Sequence, residues 1–556
     1  MVLKDELKQL LDKTLLRLIA SGALKPTEIP NYKIETPKSD QHGDLATNLA
    51  MVLASSQKSS PRNIAQAVLD GFEDAGGLVE NSEIAGPGFI NFTIADARWR
   101  EIIRTVEEEG DRFGSSDLGR GKKVQVEFVS ANPTGPLHVG HGRGAALGDV
   151  LANLLKATGH DVQREYYIND AGTQMETLGR SVLLRMKQQA GLKIDYPEKC
   201  YQGDYIGEIA REFSSKRPLT SFSTDEEAVA ACFAYAADKI LQGIQDDLKD
   251  FGVVFDRWFS EKTLKSENRL EEIFEELAKK DLTYQHEGAL WFRSSRFGDE
   301  KDRVLVRSSG EVTYFASDVA YHWDKVKRGF EMMVDIWGAD HHGYVPRIKA
   351  VMEALEPNGS ERLQVILVQL VNLLRGGRPV SMSTRAGTFV TLREVMDEVG
   401  PDAARFIFLT RRGDSALDFD LEVAKAQTND NPVFYVQYAH ARICSVLAMA
   451  GERDIALRPL DTVDLNLLTE KEEMQIIKRM NAFPELVQTS AASLETHRLT
   501  YYLTELVSDF HRFYKDHRII GDDPELSQAR LHFITSIRTV IRNGLRLLGV
   551  TAPERM

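Results

Sequence analysis

The chain has 556 residues, of which 42% are hydrophobic and 27% charged, and this predicts a globular protein of about three or four domains. No apolar run reaches membrane-spanning length, and the first 24 residues mix charges with leucines, so we expect a cytoplasmic protein without a membrane partner. Three scattered cysteines exclude a disulfide framework and offer no paired zinc spacing. The net charge of −14 resides almost wholly in residues 1–430, so a local basic face later in the chain remains a candidate for phosphate contacts.

The first segment, residues 1–115, has a pattern of elements of its own. Helical periodicity covers three stretches, at 2–20, 43–55 and 61–73. A strand pattern, GFINFTI, follows the turn at Gly86-Pro87-Gly88. We therefore predict a separate N-terminal α+β domain, joined by the linker-like GSSDLGRGKK at 114–123.

The segment 124–150 combines an apolar strand, a Gly/Pro-rich turn and the start of a helix. Residues 124–129 alternate as a strand does, 130–136 cannot continue a strand or a helix, and a helix follows from about His138. Glycines at 140, 142 and 144 leave room for a ligand to approach free backbone N–H groups at the positive end of the helix dipole. His138 and His141 lie on one face at that end. The combination suits a polyphosphate whose negative charge grows during displacement.

A glycine-rich turn alone is a weak indication, but His-Val-Gly-His at the first helix after a strand is specific. It resembles the HIGH signature of class I aminoacyl-tRNA synthetases, and EFVSANPTGPLHVGHGR is similar to the arginine-specific branch. The resemblance implies an α/β fold with a Rossmann-like parallel sheet, a connective insertion and a C-terminal α-helical bundle. It also implies ATP as substrate, with Mg²⁺ carried on it. The nucleotide-binding residues it predicts are Pro136, His138, Gly140, His141, Gly142, Met382 and Ser383, and the catalytic ones are His138, His141 and Arg385.

The resemblance divides the middle of the chain. Residues 116–385 correspond to the catalytic domain, with a second strand at 160–168 and a helical, charged insertion at about 175–290. Strand patterns resume in four places, which we expect to complete the parallel sheet: 302–307, 312–316, 333–338 and 363–371. Residues 386–428 correspond to a region that contacts the tRNA stem.

Three short blocks supply the predicted arginine-binding residues. Tyr314 and Asp318 lie one helical turn apart, and a carboxylate there suits a guanidinium group; alone, such a pair is more often an N-cap with a packed ring. Asp340 precedes two histidines after a strand, where α/β sheets bind ligands, and those histidines lack a third metal ligand at a recognisable spacing. The family positions before the signature are Glu127, Ser130 and Asn132, joined there by His141.

The second signature of class I synthetases, KMSKS, is degenerate in this chain. The matching residues are Ser381-Met382-Ser383-Thr384-Arg385, so both lysines are missing and only Arg385, or Arg378 upstream, offers a comparable charge. Some family members carry a compensating lysine three residues before the first signature histidine, but this chain has Gly135 there. We therefore expect that Arg385 substitutes or that bound tRNA orders the loop, which would make activation depend on tRNA.

The last segment, residues 429–556, resembles the helical anticodon-binding domain of the same family. Aromatic residues at helical spacing are usually core residues, but these could also stack on anticodon bases. Arginines recurring every fourth residue from 538 to 546 predict a basic helix face, which is often just solvated. The predicted tRNA-binding residues are Tyr435, Gln437, Tyr438, Arg442, Arg538 and Arg542.

The sequence therefore predicts an enzyme that ligates L-arginine to its tRNA through an arginyl-adenylate formed from ATP. Two alternatives remain at this point. One is a class I synthetase for another amino acid, which a pocket without a functional Asp318 would favour. The other is a catalytically silent tRNA-binding relative, because the KMSKS lysines are missing. The family is usually monomeric, so we expect a monomer.

Overall fold

The computed structural model describes residues 3–37, 39–170, 172–380 and 389–556. Its first part is an antiparallel four-stranded sheet, in the strand order β1-β2-β4-β3, packed with four helices. The predicted helix at 43–55 begins only at Leu49, because residues 45–47 form a strand that pairs with GFINFTI. The elements are α1 (Leu3–Ala20), β1 (Ile34–Glu35), β2 (Leu45–Thr47), α2 (Leu49–Gln57), α3 (Pro61–Asp70), β3 (Val79–Ala85), β4 (Phe89–Ile94) and α4 (Asp96–Glu109).

A parallel five-stranded sheet, in the order β12-β11-β5-β6-β7, forms the centre of the molecule. The predicted strand at 124–129 ends at Glu127, because Val129 and Ser130 have left-handed backbones with φ of 67° and 41°. The strands are β5 (Lys123–Glu127), β6 (Asp161–Ile168), β7 (Arg257–Ser260), β11 (Met332–Gly338) and β12 (Leu363–Val368). The helix that crosses from β5 to β6, α5 (Val139–Ala157), begins where the sequence predicts.

Three helices separate β6 from β7, and they lie in the range predicted for the insertion: α6 (Thr173–Gln189), α7 (Asp204–Lys216) and α8 (Asp225–Asp250). The same predicted range also contains β7, which pairs with β6 in the central sheet. Between β7 and β11 lie α9 (Lys262–Ser266), α10 (Arg269–Lys279), β8 (Thr283–His286), β9 (Ala289–Phe292), β10 (Arg303–Val306) and α11 (Tyr314–Lys327).

Two of the four predicted late strands do not belong to the parallel sheet. The strand at 302–307 is present as β10, but it belongs to a separate antiparallel sheet with β9 and β8. The prediction of a strand at 312–316 is wrong, because the Thr313 hydroxyl accepts the Ala316 N–H and starts α11 at Tyr314. The remaining two predictions coincide with β11 and β12.

After the sheet, the chain forms a small mixed layer and then a helical bundle. Two helices connect β11 to β12, namely α12 (Val345–Leu355) and α13 (Gly359–Arg362). The layer after β12 contains β13 (Val371–Arg375), β14 (Arg378–Pro379), α14 (Leu392–Val399), α15 (Pro401–Phe408), β15 (Leu417–Asp420) and α16 (Leu421–Lys425). The bundle contains α17 (Pro432–Glu452), α18 (Lys471–Asn481), α19 (Phe483–Ser493), α20 (His497–Asp516) and α21 (Pro524–Leu548). No helix among the described residues is both long and apolar enough to cross a bilayer.

The first and last parts of the chain touch directly. The Arg100 guanidinium donates to the Leu468 carbonyl at 2.9 Å, and Lys4 pairs with Glu485 at 2.7 Å. His532 on α21 lies 2.7 Å from Glu107 on α4. The N-terminal layer and the bundle therefore share an interface.

Candidate active site

The two signature histidines form a reciprocal cap at the start of α5. His138 is the N-cap residue, and its Nδ1 accepts the backbone N–H groups of Gly140 and His141 at 3.1 and 3.3 Å. His141 Nδ1 accepts the backbone N–H of His138 at 3.2 Å. The two rings stack with centroids 3.7 Å apart. The cap therefore holds both imidazoles in one orientation.

This cap fixes the protonation of both rings. Burial lowers the pKa of His138, and burial together with the neighbouring ring lowers the pKa of His141 to about 3. Both imidazoles are therefore neutral at pH 7. Because each Nδ1 accepts a backbone N–H, each ring carries its proton on Nε2. The pair presents two neutral N–H donors, as a developing phosphoryl charge requires.

The glycines of the signature serve the cap and the packing of α5. The expectation of free N–H groups at this helix start is wrong: Gly140 donates to the His138 ring and Gly142 to the His138 carbonyl. A Cβ on Gly142 would lie 2.6 Å from the Leu392 side chain, so this glycine permits close helix packing. Binding of ATP by Pro136, Gly140 and Gly142 stays a prediction.

The segment that follows the second signature hydrogen-bonds to the first signature. Val139 donates its N–H to the Val390 carbonyl at 3.2 Å, and Leu392 donates to the Leu137 carbonyl at 2.7 Å. The Phe389 ring meets the His138 ring edge-on at 6.2 Å. The predicted residues Met382, Ser383 and Arg385 lie outside the described residues, and the segment that follows them, 389–392, adjoins the histidines.

The turn after β5 holds its polar side chains in place. Ser130 Oγ donates to Glu127 Oε1 at 3.1 Å and accepts the Tyr167 N–H at the same distance. Its left-handed backbone, next to a second one at Val129, is a strained arrangement of the kind that clusters at functional sites. The Asn132 amide donates to Gln174 on α6 at 2.6 Å.

Beneath this turn, Glu127 belongs to a buried charge cluster. Lys325 Nζ donates to Glu127 Oε2 at 2.6 Å and to Asp335 Oδ1 at 2.8 Å. His322 Nε2 lies 3.1 Å from the other oxygen of Asp335. Burial alone would raise the pKa of Asp335, but Lys325 and His322 bring it down to about 2. Burial alone would lower the pKa of Lys325, but the two carboxylates raise it, so the ammonium group stays charged.

Asp318 lies one turn before His322 on the same helix. The Tyr344 hydroxyl donates to its carboxylate, and His322 Nδ1 lies 2.8 Å from its backbone carbonyl. Burial raises the pKa of Asp318 to about 6, although the Tyr344 hydrogen bond opposes this shift. Asp318 is therefore mostly ionised at neutral pH, and a bound cation would stabilise the charged form further.

The other two predicted arginine-binding side chains are open to solvent. Tyr314 is 58% exposed, and a Cβ on Gly172 would lie 2.9 Å from its hydroxyl. The side chain of Asp340 is 83% exposed, and one of its carboxylate oxygens lies 3.7 Å from His341 Nε2. Tyr344, from the same segment as Asp340, makes the contact with Asp318 instead.

Comparison with known proteins agrees with this geometry. The family described as "tRNA synthetases class I (R), catalytic domain" matches residues 106–412. The "Arginyl tRNA synthetase N terminal domain" matches residues 2–94, and the "DALR anticodon binding domain" matches residues 436–556. The chain belongs to the arginyl-tRNA synthetase family.

Relatives match this arginyl-tRNA synthetase over its full length. Arginine--tRNA ligases from Citrifermentans bemidjiense and Geobacter sp. (strain M21) are 53% and 54% identical over 100% of both chains. The solved arginyl-tRNA synthetase of Thermus thermophilus superposes with a TM-score of 0.77 over 100% of both chains, at 22% identity, and so supports the fold.

The predicted tRNA-binding residues on α17 separate into accessible and inaccessible ones. Tyr435, Tyr438 and Arg442 are half-buried and gather around His511 on α20. Gln437 is only 8% exposed, and its amide donates to Asp402 at 2.8 Å and to the Thr551 carbonyl at 2.9 Å. Because these bonds are internal, Gln437 does not belong to the accessible surface around Arg442.

The predicted basic face on α21 lies against the linker region. Arg542 and Arg546 both bond to Asp111, which follows α4. Arg538 faces Cys444 on α17 and its side chain is half-buried. The sequence predicted tRNA contacts for Arg538 and Arg542, with a merely solvated face as the alternative. Arg542 and Arg546 connect the bundle to the N-terminal part of the chain, so they are not simply solvated, and the tRNA contacts stay a prediction.

Four residues of the polar cluster around Asp318 and Glu127 were not predicted from the sequence. His322 and Lys325 follow Asp318 by four and seven residues, so the helical spacing of α11 could have revealed them. Asp335 is an acidic residue within the apolar strand MMVDIWG, which indicates a buried partner. Tyr344 carried no sequence signal, because its contact with Asp318 depends on tertiary structure.

The cap predicts the proton positions of the signature histidines. Nitrogen-15 NMR of histidine-labelled protein should show His138 and His141 as neutral Nε2–H imidazoles at pH 7–8, because burial lowers the pKa of both rings, and His141 should stay neutral down to pH 5.5 because its pKa is about 3. His141→Gln assigns the second signal, and the exposed His341 serves as a control within the same spectrum. A titration of either signature ring with a midpoint near 6.5 would contradict the described cap.

Proposed function

We propose that this chain ligates L-arginine to its tRNA in two steps, by way of an arginyl-adenylate, and releases AMP and diphosphate. Mg²⁺ enters with ATP. One observation carries the choice of substrate. A half-buried, ionisable carboxylate, Asp318, lies on a helix that is itself ion-paired to the strand leading into the signature histidines. A cationic amino acid held there lies beside the phosphate-binding end of α5.

Asp318 takes the guanidinium group in this proposal. A carboxylate accepts a guanidinium through two parallel hydrogen bonds, and a lysine ammonium cannot fill such a site equally well. The Tyr344 hydroxyl bonds to the carboxylate and so limits its rotation. Glu127 adds a second negative charge, and Ser130 and Asn132 supply polar groups for the ammonium and carboxylate of the substrate. Tyr314 and Asp340 lie at the rim.

The signature histidines act on the nucleotide. The arginine carboxylate attacks the α-phosphorus of ATP, the bond to the β-phosphate oxygen breaks, and diphosphate leaves. Negative charge grows on the phosphoryl oxygens, and the Nε2–H groups of His138 and His141 donate to them. In the second step a hydroxyl of the terminal tRNA adenosine attacks the arginyl carbonyl, and AMP leaves. Arg385 supplies positive charge to the leaving phosphates in this proposal.

Neither alternative function, a synthetase for another amino acid or a silent tRNA-binding relative, is favoured. A synthetase for another amino acid would be favoured by a pocket without a functional Asp318, and this side chain is half-buried, ionisable and hydrogen-bonded by Tyr344. A silent tRNA-binding relative would not need the two oriented imidazoles of the α5 cap. A monomer in the cytoplasm remains part of the proposal.

The pKa of Asp318 sets the pH dependence of arginine use. Because only the carboxylate binds the cation, the arginine KM should be flat above about pH 7 and rise about tenfold per pH unit well below pH 6. Asp318→Asn should raise the arginine KM by about thirtyfold or more at pH 7.5, since losing one partner of a buried charge pair costs about 2–5 kcal/mol. Aminoacylation kinetics at pH 5–8 measure both effects.

The KM for ATP serves as the control in those assays, because Asp318 is not proposed to touch the nucleotide. It should change little in Asp318→Asn. The variant should also lose the rise of arginine KM below pH 6. An arginine KM that is flat to pH 5 in the wild type, or unchanged in the variant, would remove Asp318 from the arginine site.

Recognition of the tRNA is proposed for the α17 surface around Arg442. Its guanidinium lies 4.5 and 4.8 Å from the centres of the Tyr438 and Tyr514 rings and donates to the Tyr438 hydroxyl at 2.8 Å. These partners orient the cation without neutralising it. Arg442→Ala should weaken tRNA binding and lower the slope of log affinity against log salt by about one.

Arg458→Ala is the matched control for Arg442→Ala. It removes the same charge from the same bundle, but Arg458 is already paired with Glu525 at 2.6 Å. Its tRNA affinity and salt slope should stay close to wild type when binding is measured at several salt concentrations. If Arg442→Ala behaves like this control, the tRNA contact lies elsewhere on the bundle.

A further inference from the structure

Lys325 is a fully buried cation that the proposed chemistry does not use directly. It is 0% exposed, as is its partner Asp335. Its Nζ reaches two strands at once, bonding to Glu127 at the end of β5 and to Asp335 on β11. These two acids are direct neighbours in the parallel pairing of the strands. Lys325 therefore lies between two carboxylates that would otherwise face each other.

The charges of this cluster depend on Lys325. Burial raises the pKa of Glu127 above its usual value and the neighbouring Asp335 raises it further, and Lys325 offsets part of this rise and so favours the ionised form. Two like charges this close, without a cation between them, favour a proton on one of them. Asp335 also has His322 as a partner at 3.1 Å, so Glu127 is the acid that would take the proton.

The charge of Glu127 also acts on Asp318, the proposed guanidinium-binding residue. Its charge is close enough to Asp318 to contribute to the raised pKa of that residue. Its two oxygens are committed, one to Lys325 and one to Ser130, which fixes the carboxylate below the turn. Any change in the ionisation of Glu127 therefore changes the negative potential that a bound arginine experiences.

We propose that Lys325 is a positioning residue of the arginine site, which keeps Glu127 negatively charged and directed at the turn that binds the amino acid. This inference rests on the proposed function. Lys325 would act through Glu127 and would not itself touch the substrate. The pocket selects a cation because this buried ammonium keeps a second carboxylate ionised there.

Two phenols and one acid that face the cluster keep their charge state near neutral pH. Tyr321 on α11 and Tyr167 on β6 face Glu127, and burial raises the pKa of both phenols. Glu165 on β6 faces Lys325, and Arg328 holds its pKa below the usual range although burial opposes this. His322 and Asp318 are present in every variant below, so differences between variants report on Glu127.

The first test replaces Lys325 with methionine, which is similar in length and uncharged. At pH 7 the arginine KM of Lys325→Met should rise about tenfold or more while kcat at saturating arginine stays within about threefold, because binding and not chemistry loses a charge. As pH rises toward 9, Glu127 should lose its proton and the KM should fall back. If Lys325 only supported the fold, the arginine KM of the variant would not fall as pH rises.

The double variant Lys325→Met/Asp335→Asn separates charge from packing. It also lacks the lysine, but removing the Asp335 charge makes it easier for Glu127 to ionise. Its arginine KM at pH 7 should therefore be lower than that of Lys325→Met. It also guards against a single variant that does not fold, since replacing a buried ion pair by neutral groups is often tolerated. A KM equal to or above that of the single variant would overturn the proposal.

Citrulline, a neutral analogue of arginine, supplies a third readout. Its inhibition constant should change little in Lys325→Met, because its ureido side chain carries no positive charge, whereas its α-ammonium and α-carboxylate are the same as those of arginine. If arginine and citrulline weaken by the same factor, the pocket has collapsed and the proposal is wrong. Wild-type arginylation is measured first in the same assay. Its absence would contradict the proposed function, whereas its presence together with an unchanged Lys325→Met would contradict only this inference.

Discussion

A row of buried carboxylates across the central sheet is the constraint on which the amino-acid site depends. Asp335, Glu127 and Glu165 occupy paired positions on the adjacent strands β11, β5 and β6. Lys325 on α11 and Arg328, which directly follows this helix, bond to them. Buried charges are tolerated only when they are paired, and removing one partner typically costs about 3–5 kcal/mol. Helix α11 therefore has little freedom to shift or rotate on the sheet.

The fixed position of α11 on the sheet also fixes Asp318, the residue proposed to bind arginine. Asp318 lies four residues before His322 and seven before Lys325, so all three lie on one face of the helix. Tyr344 reaches the same carboxylate from the segment that follows β11. On the other side of the sheet, α5 begins with the paired imidazoles and the chain at 389–392 closes against it. The proposed arginine-binding residue and the proposed nucleotide-binding histidines thus lie on helices that adjoin two neighbouring strands of one sheet.

The sequence indicated several local features and few of the tertiary partners. The helix start near His138, the strand β5 and the spacing of Asp318 on a helix all follow from residues close together in the chain, whereas the reciprocal histidine cap was not predicted. The segment 312–316 has β-branched and aromatic residues typical of a strand, yet the Thr313 cap makes it a helix start. The pairing of Arg542 with Asp111 spans 431 residues, and such contacts leave no local pattern. Aromatic periodicity on α17 likewise could not distinguish the buried Gln437 from the accessible Tyr438.

The central claim is that a negatively charged pocket on α11 delivers arginine to the histidine pair on α5. Exchange of labelled diphosphate into ATP, measured with each amino acid in turn in the presence and absence of tRNA, tests this claim most directly. The account predicts exchange with arginine and not with lysine or a neutral amino acid, and only when tRNA is present. Equal exchange with lysine, or none with any amino acid when tRNA is present, would contradict it.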